Sequence, residues 1–170
     1  MDKKTRRLVF AALMTALTLV FLYFACLIPV GLIGFVALSS IFCIAAVIES
    51  GRVYGVGVYV ASTLLGFLLM PSKTGAILFA AFFGIYPVLK SLFEQPRRRS
   101  LEWIFKIVSF NALFTVVWLL IGKLIFSDKI LSYPVAIIYL GCNVVFVLYD
   151  LGLSKLIVYY INRISNKLKR

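Results

Sequence analysis

The chain has 170 residues, of which 63% are apolar and only 14% charged, with no histidine; 18 Lys and Arg against six Asp and Glu give a net charge of +12. Mean hydropathy is +1.06. A soluble domain is nearer half apolar and a quarter charged, so the composition excludes a soluble globular enzyme, and the missing histidine excludes Ser/His or Cys/His pairs and zinc motifs built on histidine.

Six apolar runs follow one another, at 8–30, 32–48, 53–70, 75–93, 103–126 and 134–161. Each is close to the roughly 20 residues a membrane-crossing helix needs. The expected fold is all-α: a polytopic membrane protein with a six-helix bundle forming one integral membrane domain over 1–170. The first run follows Lys3, Lys4, Arg6 and Arg7. It exceeds the apolar stretch of a signal peptide and shows no small-x-small cleavage site, so it reads as a retained helix that ends near Pro29. The second run is the shortest. It carries Ser39 and Ser40 at mid-depth and stops at Glu49-Ser50-Gly51-Arg52. The third is rich in small residues and ends in the turn Pro71-Ser72-Lys73-Thr74-Gly75. The fourth contains Gly84 and Pro87, and proline predicts a kink near 81–87. The polar interval 94–102 holds Arg97, Arg98 and Arg99 but is too short to require separate domains. The fifth run carries Asn111 and Thr115. The sixth opens at Pro134, where a first helical turn tolerates proline, and carries Tyr139, Asn143 and Asp150 before a basic tail.

Threaded alternately through a bilayer, these runs place fifteen of the eighteen cations on one side. They are the four at the N-terminus, Arg52, the group Lys90, Arg97, Arg98, Arg99 and Lys106, and the C-terminal Lys155, Arg163, Lys167, Lys169 and Arg170. Lys73, Lys123 and Lys129 fall on the other side. Cationic loops resist translocation, so both termini are expected in the cytoplasm. The cations sit at helix ends and suit anionic lipid headgroups, with no groove-sized face for nucleic acid.

Polar side chains within the spans need partners. Asn143 and Asp150 are seven residues apart and share a helix face with Tyr139. Asn111 lies at a depth comparable to Asn143. One reading makes Asn111, Asn143 and Asp150 a cluster for a ligand or proton. The plainer reading, favoured because Asp150 lies close enough to the interface to snorkel, makes them interhelical hydrogen bonds plus an ion pair of Asp150 with Lys106 or Lys155. On the external side Lys73 and Tyr133 are candidates for the mouth of a pocket, although aromatics there also form an interfacial belt. Cys26, Cys43 and Cys142 fit no metal spacing and read as small hydrophobes. No Gly-x-x-x-x-Gly-Lys-Ser/Thr phosphate loop is present. The chain is expected to be non-enzymatic, without metal or cofactor. Small residues recur at four-residue spacing: Ala12/Ala16, Gly51/Gly55, Gly57/Ala61 and Ala80/Gly84. Such pairs let helix backbones approach closely.

The basic start and the stretch Thr5-Arg6-Arg7-Leu8-Val9-Phe10-Ala11-Ala12-Leu13-Met14-Thr15-Ala16-Leu17 resemble the first helix of substrate-binding S components of energy-coupling factor transporters. The six-helix size and the small-rich third helix are also similar. In that family an Ala-x-x-x-Ala motif contacts a transmembrane coupling subunit, and Ala12 and Ala16 match it. The resemblance implies a subunit that captures a small, vitamin-like solute and works with the coupling subunit and ATPase subunits. It implies ligand contacts toward the external half, with Asn111, Tyr139 and Asn143 as the deep candidates and Lys73 and Tyr133 at the mouth. Size, helix number and basic termini also resemble rod-shape proteins of the MreD type, which would make the chain a scaffold with no ligand.

Overall fold

A computed structural model of the chain describes residues 2–93, 99–125 and 134–162. Among the described residues all regular structure is helical. The helices are α1 (Lys3–Leu27), α2 (Leu32–Ser50), α3 (Arg52–Leu69), α4 (Lys73–Leu78), α5 (Tyr86–Phe93), α6 (Arg99–Ile125) and α7 (Val135–Tyr160). A π turn at Phe79–Phe83 joins α4 to α5, and a 3-10 turn at Pro29–Gly31 precedes α2. Among the described residues six segments are long and apolar enough to cross a membrane, the fourth running from Lys73 to Leu92 through the π turn. The protein is polytopic and all-α.

Two helices start ahead of their apolar runs. α1 begins at Lys3 and α6 at Arg99, each about a turn before hydropathy rises. Hydropathy marks the stretch that prefers hydrocarbon, whereas backbone hydrogen bonding carries the helix on into polar residues. α1 stops at Leu27, just ahead of Pro29, which has no N–H to continue it.

The chain divides into two compact units, 1–95 and 96–170. In the first, a single residue reverses the chain between α2 and α3. Gly51 has φ of +98°, a conformation that costs glycine little. Its N–H donates to the Val47 carbonyl, closing α2, and its own carbonyl accepts from Gly55, opening α3. The core is built by Leu22 and Ala25 from α1, Val36 and Cys43 from α2, Val58 from α3, then Phe79 and Tyr86. Two buried hydroxyls turn back on their own helices: Thr18 donates to the Met14 carbonyl at 2.8 Å and Ser39 to Val36 at 2.6 Å. With no water in hydrocarbon, that is the partner within reach.

The kink expected in the fourth span takes the form of the π turn. Pro87 cannot donate one turn back to Phe83, so regular pairing is lost ahead of it. Gly84 N–H reaches five residues back to the Phe79 carbonyl at 2.7 Å. The Ala80 carbonyl accepts from the Tyr59 hydroxyl at 2.8 Å. A Cβ on Gly84 would stand 2.7 Å from both Phe79 Cε1 and Tyr59 Cδ2. The rings close over this glycine because it has no side chain.

The second unit is the antiparallel hairpin of α6 and α7. Phe110 and Phe146 stack with ring centroids 4.4 Å apart, and Tyr139 meets Phe114 edge-on at 4.9 Å. In both units large apolar side chains such as Leu68, Leu119 and Leu140 point outward. On a soluble protein they would form adhesive patches; on a membrane-spanning helix they meet lipid.

Candidate functional site

The polar residues of α6 and α7 meet as rungs of a ladder. As α6 advances from Lys106 through Asn111 to Thr115, α7 retreats from Asp150 through Asn143 to Tyr139. The first rung is ionic. Lys106 Nζ lies 2.6 Å from Glu102 Oε1 and 3.0 Å from Asp150 Oδ2. Lys106 and Asp150 are almost wholly buried, at 2% and 1% exposure. The Lys106 ammonium also sits 5.5 Å from the centroid of the Trp103 ring, within cation–π range. The Phe110–Phe146 stack separates this rung from the next.

The second rung is a reciprocal amide pair. Asn111 Nδ2 donates to Asn143 Oδ1 and Asn143 Nδ2 donates to Asn111 Oδ1, both at 3.0 Å. Each amide gives its other hydrogen to its own helix, Asn111 to the Ile107 carbonyl at 2.9 Å and Asn143 to the Tyr139 carbonyl at 2.8 Å. The third rung is Thr115 with Tyr139, their hydroxyl oxygens 2.9 Å apart. The Thr115 hydroxyl hydrogen goes to the Asn111 carbonyl at 2.7 Å, so Tyr139 is the donor across the gap. Every side-chain donor of these four residues is thereby engaged within the hairpin. What the cluster still offers is acceptor lone pairs on the amide and phenol oxygens. A solute seated here must donate hydrogen bonds or break the asparagine pair.

The other sequence-derived candidates fall elsewhere. Lys73 belongs to the first unit, where its ammonium donates to the carbonyls of Phe67 and Met70, each at 2.6 Å. It caps the C-terminal end of α3, a position where a cation also meets the negative end of the helix dipole. Tyr133 lies outside the described residues. Ala12 and Ala16 are exposed on α1 and line a lateral groove of about 500 Å³ between α1 and α3. Leu8, Ala12 and Ala16 form one wall, and Val53, Gly57 and Ala61 step along the other at the same spacing. A Cβ placed on Gly57 meets nothing within 4 Å, so this wall is open.

No family model, curated protein or solved structure matches this chain. Assignment therefore rests on geometry. Asn111, Tyr139 and Asn143 come together as their shared depth and face suggested, and Lys106 is the partner of Asp150. Sequence reasoning missed Thr115 as the partner of Tyr139, although its four-residue step from Asn111 places it on the same face. It also treated Gly57 and Ala61 apart from Ala12 and Ala16, where the structure makes them two walls of one groove. Among the described residues no three His, Cys, Asp or Glu converge on a metal-sized space.

Proposed function

We propose that this chain is a non-enzymatic, membrane-embedded subunit of a multi-component, ATP-driven importer. In this reading it holds a small solute and docks a transmembrane coupling subunit through Ala12 and Ala16. The observation that carries the reading is the groove. An Ala-x-x-x-Ala pair that stands exposed, opposite a Gly-x-x-x-Ala pair on α3, is a surface on which a further helix can approach closely. ATPase subunits supply the energy through the coupling subunit. Segregation of fifteen cations to one side supports a cell-membrane protein with both termini cytoplasmic. The solute contacts in this reading are Asn111, Tyr139 and Asn143, which present acceptors to a ligand rich in hydrogen-bond donors.

The test is co-purification of the chain with a coupling subunit and ATPases, repeated with Ala12→Trp and Ala16→Trp together. Loss of assembly with retained helical content is the expected result, and unchanged assembly removes the docking role. Mass spectrometry of small molecules retained after gentle purification tests the solute half.

One observation favours a second reading, a scaffold of the MreD type that binds no ligand. The asparagine pair is satisfied within the hairpin and needs no solute to complete it. A preparation that carries no displaced metabolite and co-purifies with cell-wall elongation proteins would select this reading.

A further inference from the structure

We infer that in the isolated chain the α1–α3 groove holds one acyl chain of an anionic phospholipid, its phosphate gripped by Lys4 and Arg7. The groove's dimensions suit this occupant. From Leu8 to Leu19 its α1 wall rises roughly 16 Å at 1.5 Å per residue. That is about half of the roughly 30 Å hydrocarbon core, the depth of a single leaflet. The α3 wall, from Val53 to Leu65, has matching length. The lining is almost entirely apolar, and Thr15, the one α1 residue in it with a hydroxyl, gives that hydrogen to the Ala11 carbonyl at 3.0 Å.

Charge decides the headgroup. Lys4 precedes Leu8 by one helical turn and Arg7 precedes Ala11 by one turn, so both continue the groove's face beyond its apolar end. Both are exposed. Among the described residues Asp2 and Glu49 are the acids at this end of the unit, and neither forms an ion pair with Lys4 or Arg7. An apolar slot one leaflet deep, closed by two cations at headgroup level, is complementary to a lipid whose headgroup carries net negative charge. One phospholipid fills the slot and supplies the counter-ion for both cations.

This goes beyond the docking reading, because lipid is what the groove holds when no partner is present. It is measured on the chain alone, so its failure leaves that reading untouched. Delipidated protein in detergent is mixed with phosphatidylglycerol or phosphatidylcholine of equal chain length, and bound lipid is counted by native mass spectrometry. Wild type is expected to retain one phosphatidylglycerol. Lys4→Gln with Arg7→Gln should weaken phosphatidylglycerol by about fivefold per charge, roughly 25-fold in all, and phosphatidylcholine, whose choline offsets its phosphate, by clearly less. Gly57→Leu points into open groove and should reduce retention of both lipids more than about tenfold at unchanged helical content. Gly34→Leu adds the same bulk at an exposed α2 position with open space around it and should retain lipid normally. The inference is overturned if Gly57→Leu binds phosphatidylglycerol as wild type does, if Gly34→Leu loses it equally, or if the charge variants keep the wild-type preference between the two lipids.

Discussion

Replacing Gly84 with alanine tests whether the fourth span is held by close ring packing. The new Cβ would stand 2.7 Å from Phe79 Cε1 and Tyr59 Cδ2 and 2.8 Å from Phe79 Cζ. Ordinary carbon contacts lie at about 3.5–4.0 Å, so both rings must retreat by roughly 1 Å. Neither moves cheaply. Phe79 is fully buried, and the Tyr59 hydroxyl is tied to the Ala80 carbonyl at 2.8 Å. Overpacking of this kind costs about 1–3 kcal/mol, and loosening the Tyr59 bond adds about 0.6 kcal/mol. Alanine returns about 1 kcal/mol of helix propensity over glycine. The expected net loss is about 0.6–2.6 kcal/mol. Gly57→Ala is the control, because its Cβ meets nothing within 4 Å; it should be neutral or stabilising by up to about 1 kcal/mol. Both are measured by SDS titration in mixed micelles. Alkylation of buried Cys43 serves as a reporter within the same unit, in a background where Cys26 and Cys142 are serine. Tryptophan fluorescence would report on the wrong place, since Trp103 and Trp118 both belong to the second unit. If Gly84→Ala proves as stable as Gly57→Ala, the close packing described around residue 84 is wrong.

Asn143→Leu should lower hairpin stability by about 0.6–1.7 kcal/mol, because the Asn111 amide loses both of its cross-helix bonds; a ligand-holding Asn143 would in addition lose affinity beyond this stability change, read by isothermal titration once a solute is known. Lys106→Met removes the cation shared by Glu102 and Asp150 and should cost about 3 kcal/mol in the same SDS titration, while Lys106→Met with Asp150→Leu should recover most of it, since an apolar pair of similar volume replaces the buried ion pair. Lys73→Ala should cost about 0.5–1 kcal/mol through the lost cap on α3, seen as faster hydrogen exchange of the last α3 turn. A Lys73 that instead serves a ligand would leave that exchange unchanged.

Much of this architecture is written in hydropathy. Six apolar runs locate six spans, and Pro87 announces the break in the fourth, because both signals are local. Asn111 and Asn143 could be matched through equal depth on neighbouring antiparallel helices, which short connections nearly dictate. The remainder is tertiary. Nothing in the residues around Gly84 says that the Tyr59 ring, 25 positions earlier, will close against it. Lys73 reads as an isolated external cation, yet a lysine just past a helix end has carbonyls within reach and takes them. The groove is equally hidden, since Ala12 and Ala16 carry no mark of facing Gly57 and Ala61 until α1 and α3 are laid side by side.

The π turn at Phe79–Phe83 adds one residue to a helix whose neighbours are spaced by about 100°. One extra residue in otherwise regular winding turns the side chains after it by about that angle. Tyr86 and Lys90, both buried in the first unit, lie beyond this offset. Excising one residue between positions 79 and 83 would restore regular winding and swing both toward new surroundings, so a comparison of helix faces that ignores the extra residue assigns the second half of this span to the wrong side.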